Sequence, residues 1–188
     1  MKLVVGLGNP GRKYEHSRHN VGFEVIRQLA QRHAAPAGKS KFEGELLECL
    51  IGRQRTLLLM PHTYMNLSGR SVRQTLDFYK IPHDEFLLVC DDFHLPLGRI
   101  RLRPGGTGGG QKGLADTIQQ LGTEEIARLR FGIGPVPDGW DAADYVLGKF
   151  SSAEQELLRS ELVRACSAVE TWIGQGIGAA MNLYNATQ

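Results

Sequence analysis

Lys2-Leu3-Val4-Val5-Gly6-Leu7-Gly8-Asn9-Pro10-Gly11, followed after a polar stretch by Ser17-Arg18-His19-Asn20-Val21, decides the fold. Residues 1–7 read as a buried strand. From Asn20 the apolar positions Val21, Val25, Ile26, Leu29 and Ala30 recur at helical spacing, which predicts a helix of about four turns. Strand, glycine turn and helix make the opening unit of an α/β sheet, and the loop at the strand's carboxyl edge is where such sheets keep their chemistry. That loop carries His19. Histidine is the one side chain whose ordinary pKa lies near neutrality, so an imidazole there reads as a general base, with a surface or capping role as the competing reading.

The pattern continues downstream. Residues 44–50 and 55–60 flank the turn Gly52-Arg53 and predict an antiparallel hairpin. Residues 68–79 predict a second helix, 86–90 a short apolar strand, 99–103 a strand of alternating charged and apolar residues, and 114–121 a third helix. Leu129-Arg130-Phe131-Gly132-Ile133 predicts a further strand, after which Pro135, Pro137, Asp138 and Gly139 announce an irregular loop. Residues 151–173 predict a helix capped by Ser151 or Ser152, with Glu154 in its first turn and Ala165, Val169, Trp172 and Ile173 as its buried stripe. Strands and helices alternate while the hairpin breaks a strictly parallel order. The expectation is α/β: a single domain over residues 1–188, with a mixed twisted sheet flanked by helices.

Composition agrees with one ordinary globular domain: 188 residues, 41% hydrophobic and 22% charged. No apolar run approaches the ~20 residues that cross a bilayer, and no basic leader precedes the first strand, so a cytoplasmic protein without a membrane partner is expected. Cys49, Cys90 and Cys166 stand far apart with no Cys-x-x-Cys pair, so neither a disulfide framework nor a metal site is indicated and all three read as buried small hydrophobes. The net charge of +2 is too small to advertise a nucleic-acid binder by itself. Its distribution says more, because Arg99, Arg101, Arg103, Lys112, Arg128 and Arg130 gather around the glycine-rich residues 105–113.

Gly6-x-Gly8-x-x-Gly11 formally satisfies a dinucleotide fingerprint, but Pro10 lacks an N–H and the polar residues 12–16 delay the helix that should cradle a pyrophosphate. The next strands form a hairpin rather than the second strand of a βαβ unit. No nucleotide cofactor, or any other, is therefore expected. The Gly-x-Ser-x-Gly elbow of serine hydrolases is also missing.

Gly6-Leu7-Gly8-Asn9-Pro10-Gly11, Arg18-His19-Asn20-Val21-Gly22-Phe23, Tyr64-Met65-Asn66-Leu67-Ser68-Gly69, Asp91-Asp92 with Leu95-Pro96, and Arg128-Leu129-Arg130-Phe131-Gly132-Ile133-Gly134 occur in this order. Together they resemble bacterial-type peptidyl-tRNA hydrolase, from Met1 to about Phe150. The resemblance implies hydrolysis of the ester between a peptide, or an N-blocked amino acid, and tRNA, which frees tRNA for translation. His19 would activate water and Asp91 would orient its ring and keep it basic. Asn9 would distinguish a peptidyl from a free aminoacyl group, and Asn66 would hold the water or the acceptor end. Tyr14 and Tyr64 stand where the family contacts tRNA, and Arg103 and Arg130 match basic positions used against its phosphates. The partner implied is peptidyl-tRNA, met by a monomer.

The chain departs from the family at Gly110-Gln111-Lys112-Gly113, where Gly-His-Asn-Gly is usual, and at His94, where an acid is usual. Lys112, still a candidate substrate ligand, cannot accept a hydrogen bond, and a cation close to His19 would oppose protonation of the ring. A non-catalytic RNA-binding relative of the same fold is thus the alternative. A binding protein would have no need to keep Asn9, His19, Asn66 and Asp91 together.

Overall fold

The structure, a computed structural model, describes residues 1–186. Seven strands form one sheet: β1 (Lys2–Gly6), β2 (Lys39–Lys41), β3 (Gly44–Ile51), β4 (Gln54–Pro61), β5 (Phe86–Asp92), β6 (Ile100–Arg103) and β7 (Ala127–Gly132), in the order β2-β3-β4-β1-β5-β7-β6. Its middle, β4-β1-β5-β7, is parallel. The hairpin β3–β4 and the pair β6–β7 are antiparallel, so the sheet is mixed as expected.

Among the described residues five α-helices flank it: α1 (Val21–Arg32), α2 (Ser68–Tyr79), α3 (Lys112–Leu121), α4 (Ala142–Leu147) and α5 (Ser152–Tyr184). The period of two along the strands sorts the core into two layers. Val4, Leu58, Leu87 and Val89 point to the side of α1 and α5, against Ile26, Leu29, Val169 and Trp172. Leu3, Val5, Leu57, Leu59 and Leu88 point to the side of α2 and α3, against Val72, Leu76 and Leu114. Covered on both faces, the central strands can be continuously apolar. α1 presses onto β1 through glycine, for a methyl at Gly22 would lie 2.5 Å from the Leu7 carbonyl oxygen.

Three elements go beyond the sequence reading. β2 has three residues and no apolar pattern, and α4 is one short turn and a half inside the region expected to be irregular. α5 runs past residue 173 to Tyr184, across a non-helical Gly176 (φ 85°). Asn185, just beyond, donates to the Leu102 carbonyl and accepts from the Leu102 N–H, which covers part of the free edge of β6. Cys49, Cys90 and Cys166 are buried free thiols.

Candidate active site

All four parallel strands end on the same side of the sheet. The chain leaves β1 for β4 on one side, by way of α1 and the hairpin, and leaves β4 for β5 on the other. The crevice belongs at that reversal. A cleft of about 540 Å³ lies there, with Asn9, His19, Tyr64, Met65, Asn66, Asp91, Gln111, Lys112 and Arg130 in its wall.

His19 is held by the turn that carries it. Arg18–Asn20 is a single 3₁₀ turn, and the Arg18 N–H donates to Gly148 O at 2.9 Å. The Arg18 guanidinium makes two parallel bonds to Glu154, 2.9 and 3.0 Å, and lies between the rings of Tyr145 and Phe150. Asn20 locks the other flank: its Oδ1 accepts from Asn9 N at 2.8 Å and its Nδ2 donates to Asn9 O at 3.0 Å. With both neighbours buried and bonded, the His19 ring meets Asp91 Oδ2 through Nδ1 at 2.8 Å. Asp91, at the carboxyl end of β5, is 3% exposed, so the pair is shielded from solvent screening. A carboxylate on Nδ1 fixes the tautomer with Nε2 as the lone-pair nitrogen. Nε2 is the nitrogen left for the cleft that His19 lines.

The amides are equally constrained. Asn9 Oδ1 accepts from Met65 N at 2.8 Å, which leaves the Asn9 Nδ2 hydrogens for the cleft and ties the loop after β1 to the loop after β4. Asn66 and Tyr64 on that second loop are exposed at the rim. Cys90, immediately before Asp91, is no nucleophile: burial and the neighbouring carboxylate push its thiol up to about 12. Among the described residues no group of three or more His, Cys, Asp or Glu side chains is arranged to hold a metal ion.

The structure thus brings together His19, Asp91, Asn9, Asn66, Tyr64, Lys112 and Arg130. It leaves two predicted residues outside the cleft wall. Tyr14, on the 3₁₀ turn Arg12–Tyr14, is half-buried beside the Lys13 ammonium, and Arg103 is exposed on the edge strand β6. Arg101 shares that outward face.

The basic cluster needs correction at Arg128. This side chain is buried, and its guanidinium donates to the carbonyls of Ile126, Gly106, Thr107 and Glu124, so it braces the glycine-rich loop and is closed to phosphate. Burial lowers its pKa below the ordinary guanidinium value. Arg130 is half committed in the same way: Nε lies 3.3 Å from Asp92 Oδ2, paired by charge though not aligned for a hydrogen bond, and one terminal nitrogen reaches the Gly108 carbonyl at 3.4 Å.

Sequence reasoning missed two further residues. From sequence Asn20 reads as a helix start, yet its amide fastens Asn9. Gln111 reads as a departure from the family, yet its Nε2 donates to Asp91 Oδ1 at 3.0 Å.

A sequence model of a family described as peptidyl-tRNA hydrolase matches residues 3–188. Among similar proteins, the peptidyl-tRNA hydrolase of Rhodopirellula baltica is 52% identical over 99% of this chain and 98% of its own length. That of Syntrophomonas wolfei is 44% identical over 98% of this chain and all of its own. The crystal structure of the Acinetobacter baumannii peptidyl-tRNA hydrolase superposes with a TM-score of 0.93 at 37% identity, covering all of this chain and 96% of that one.

Proposed function

This chain belongs to the peptidyl-tRNA hydrolase family and cleaves the ester between peptide and tRNA, and we propose that it does so with water activated directly by His19. The observation that carries the proposal is the 2.8 Å contact between His19 Nδ1 and the buried Asp91 carboxylate at the floor of the cleft. Nε2 takes a proton as water attacks the ester carbonyl, Asp91 stabilises the imidazolium, and the same proton passes to the departing ribose oxygen when the C–O bond breaks. An activated ester needs no covalent intermediate. The buried, unreactive Cys90 thiol fits that economy.

Asn9 Nδ2 and the Asn66 amide are neutral donors on the walls beside His19, suited to a peptide carbonyl and to the acceptor end respectively. In this reading Lys112 is a substrate ligand from the first turn of α3, and Tyr64 offers an exposed ring to an unpaired base. Tyr14, Arg103 and Arg130 meet the tRNA beyond the ester. The RNA-binding alternative accounts for the basic residues but gives no work to a His19 ring paired with a buried Asp91. We read the working unit as a monomer, and the tRNA substrate implies the cytoplasm. Among the described residues no helix is long and apolar enough to cross a membrane.

His19→Ala should lower hydrolysis of N-acetylaminoacyl-tRNA by ~10²–10⁴-fold while leaving tRNA affinity largely unchanged. Asp91→Asn should cost less, because an amide still orients the ring but does not stabilise its cation. Equal initial rates for the protein and its His19→Ala form would remove the proposal.

A further inference from the structure

The glycine-rich loop delivers Gln111 to the back of the catalytic pair. Gln111 is 7% exposed and stands at the N-cap of α3, where its Oε1 accepts from Leu114 N at 2.8 Å. Its Nε2 has two hydrogens and two partners: Asp91 Oδ1 at 3.0 Å and Met65 Sδ at 3.2 Å. Every bonding group of the amide is therefore engaged. Rotating the amide by half a turn would set Oε1 against the Asp91 carboxylate and Nε2 against the Leu114 N–H, two repulsions at once. The loop has little room to yield, since a methyl at Gly113 would lie 2.5 Å from Met65 Sδ.

We propose that Gln111 is a positioning residue for the His19–Asp91 pair, acting through a fixed N–H on Asp91 Oδ1 that turns Oδ2 toward His19. This rests on the reading that His19 is the base. The helix cap alone does not explain the contact, because Ser, Asp or Asn would cap α3 and none reaches as far as Gln. An amide also suits the position for what it lacks. It neither gains nor loses a proton in the working range, so its donor never becomes an acceptor as pH changes. The other charged or titratable groups around the cleft are Asp92 on β5, Arg130 on β7, Lys112 at the start of α3, Tyr64 on the loop after β4, and His94 and Asp141 in the cleft wall. Arg130 is engaged with Asp92. Gln111 is thus the neutral donor that balances the second oxygen of Asp91.

Two substitutions separate positioning from capping. Gln111→Ser keeps a capping oxygen and removes the contact with Asp91. Gln111→Glu is nearly isosteric, keeps the acceptor for Leu114 N, and sets a second carboxylate against Asp91. For both, kcat on N-acetylaminoacyl-tRNA should fall by roughly one to two powers of ten with KM little changed. The acidic limb of the pH–rate profile should move to higher pH, further for Glu than for Ser, because the pair then holds its proton more tightly. Nitrogen NMR of the His19 ring should show the same displacement without reference to activity. His19→Ala is assayed alongside. If it is inactive while both Gln111 variants keep the kcat and acidic limb of the unaltered protein, the positioning role fails and the base stands. Lowered kcat with an unmoved limb and a lowered unfolding temperature would also overturn it, leaving Gln111 a cap alone. An active His19→Ala form would remove the base and with it the role of Gln111.

Discussion

Glu154→Gln tests how the catalytic turn is anchored. The Arg18 guanidinium is bound on both sides by the Glu154 carboxylate, 2.9 and 3.0 Å, with side-chain exposures of 11% and 25%. Glutamine keeps the shape and one acceptor oxygen, so the bond that Ser151 N donates to the first turn of α5, now 2.7 Å, can persist. What disappears is the negative charge. Removing one partner of a fully buried pair costs ~3–5 kcal/mol, and a hydrogen bond to a charged group ~1.5–3. Partial exposure of Glu154, and the Tyr145 and Phe150 rings that still face Arg18, place the loss at ~2–3 kcal/mol. For a chain of this length that is about 4–12 °C in Tm. The Arg18 hydrogen bonds hold the Glu154 carboxyl below its ordinary value, against burial, which acts the other way. A carboxyl depressed in the folded state contributes stability that is complete above its unfolded pKa and is lost as pH falls through the folded one. Calorimetric scans of both proteins should therefore show a gap in Tm near pH 7 that narrows toward about pH 3. A gap under ~2 °C near neutrality, or one that does not narrow in acid, would refute the reasoning.

Two further outcomes concern the substrate. Arg103→Ala should weaken binding of full tRNA substrate, and lower the salt slope by ~0.7–0.9 unit, without slowing cleavage of a short aminoacyl-adenosine mimic. Arg130→Ala should impair both, because that guanidinium also pairs with Asp92 and reaches the Gly108 carbonyl; unchanged affinity and salt slope in both variants would make the patch a solvated surface. Lys112→Asn restores an amide at the cleft wall, and kcat/KM should rise if Lys112 is the poorer ligand of the acceptor end. A higher KM that salt abolishes would instead make Lys112 a phosphate contact.

The core of the fold was legible because two simple periods dominate it. Residues 68–79 were bounded as α2 and the hairpin nearly to the residue, since Ser68 to Tyr79 keeps one apolar stripe and Gly52-Arg53 has turn chemistry. Where tertiary contacts decide, sequence was silent. β2 exists because Lys39, Ser40 and Lys41 pair with β3, with no apolar pattern of their own. α5 continues beyond residue 173, through Gly174, Gly176 and Gly178, because Ala180 is buried, Ile177 and Met181 pack against the core, and Asn185 binds Leu102.

The site divides along a similar line. His19 and Asp91 are 72 residues apart, and no spacing rule links them; His19 is a candidate because a titratable group stands after a strand's carboxyl end, whereas the role of Asp91 comes from the resemblance. Gln111 gave no such signal, being neither titratable nor a usual capping residue. Its worth lies in three partners drawn from three elements, which sequence does not display: a strand end at Asp91, a loop at Met65 and a helix start at Leu114. Asn20 and Arg128 show the same physics. An amide or a guanidinium held by backbone oxygens in the interior is structural, whatever charge it adds to a sequence count, and Arg128 therefore belongs to the loop's scaffold rather than to the surface that meets RNA. The glycine-rich loop is thus shaped from within by Arg128 and fixed to the reaction centre by Gln111, so that Lys112, between a buried cap and a helix, is its charged residue left facing the cleft.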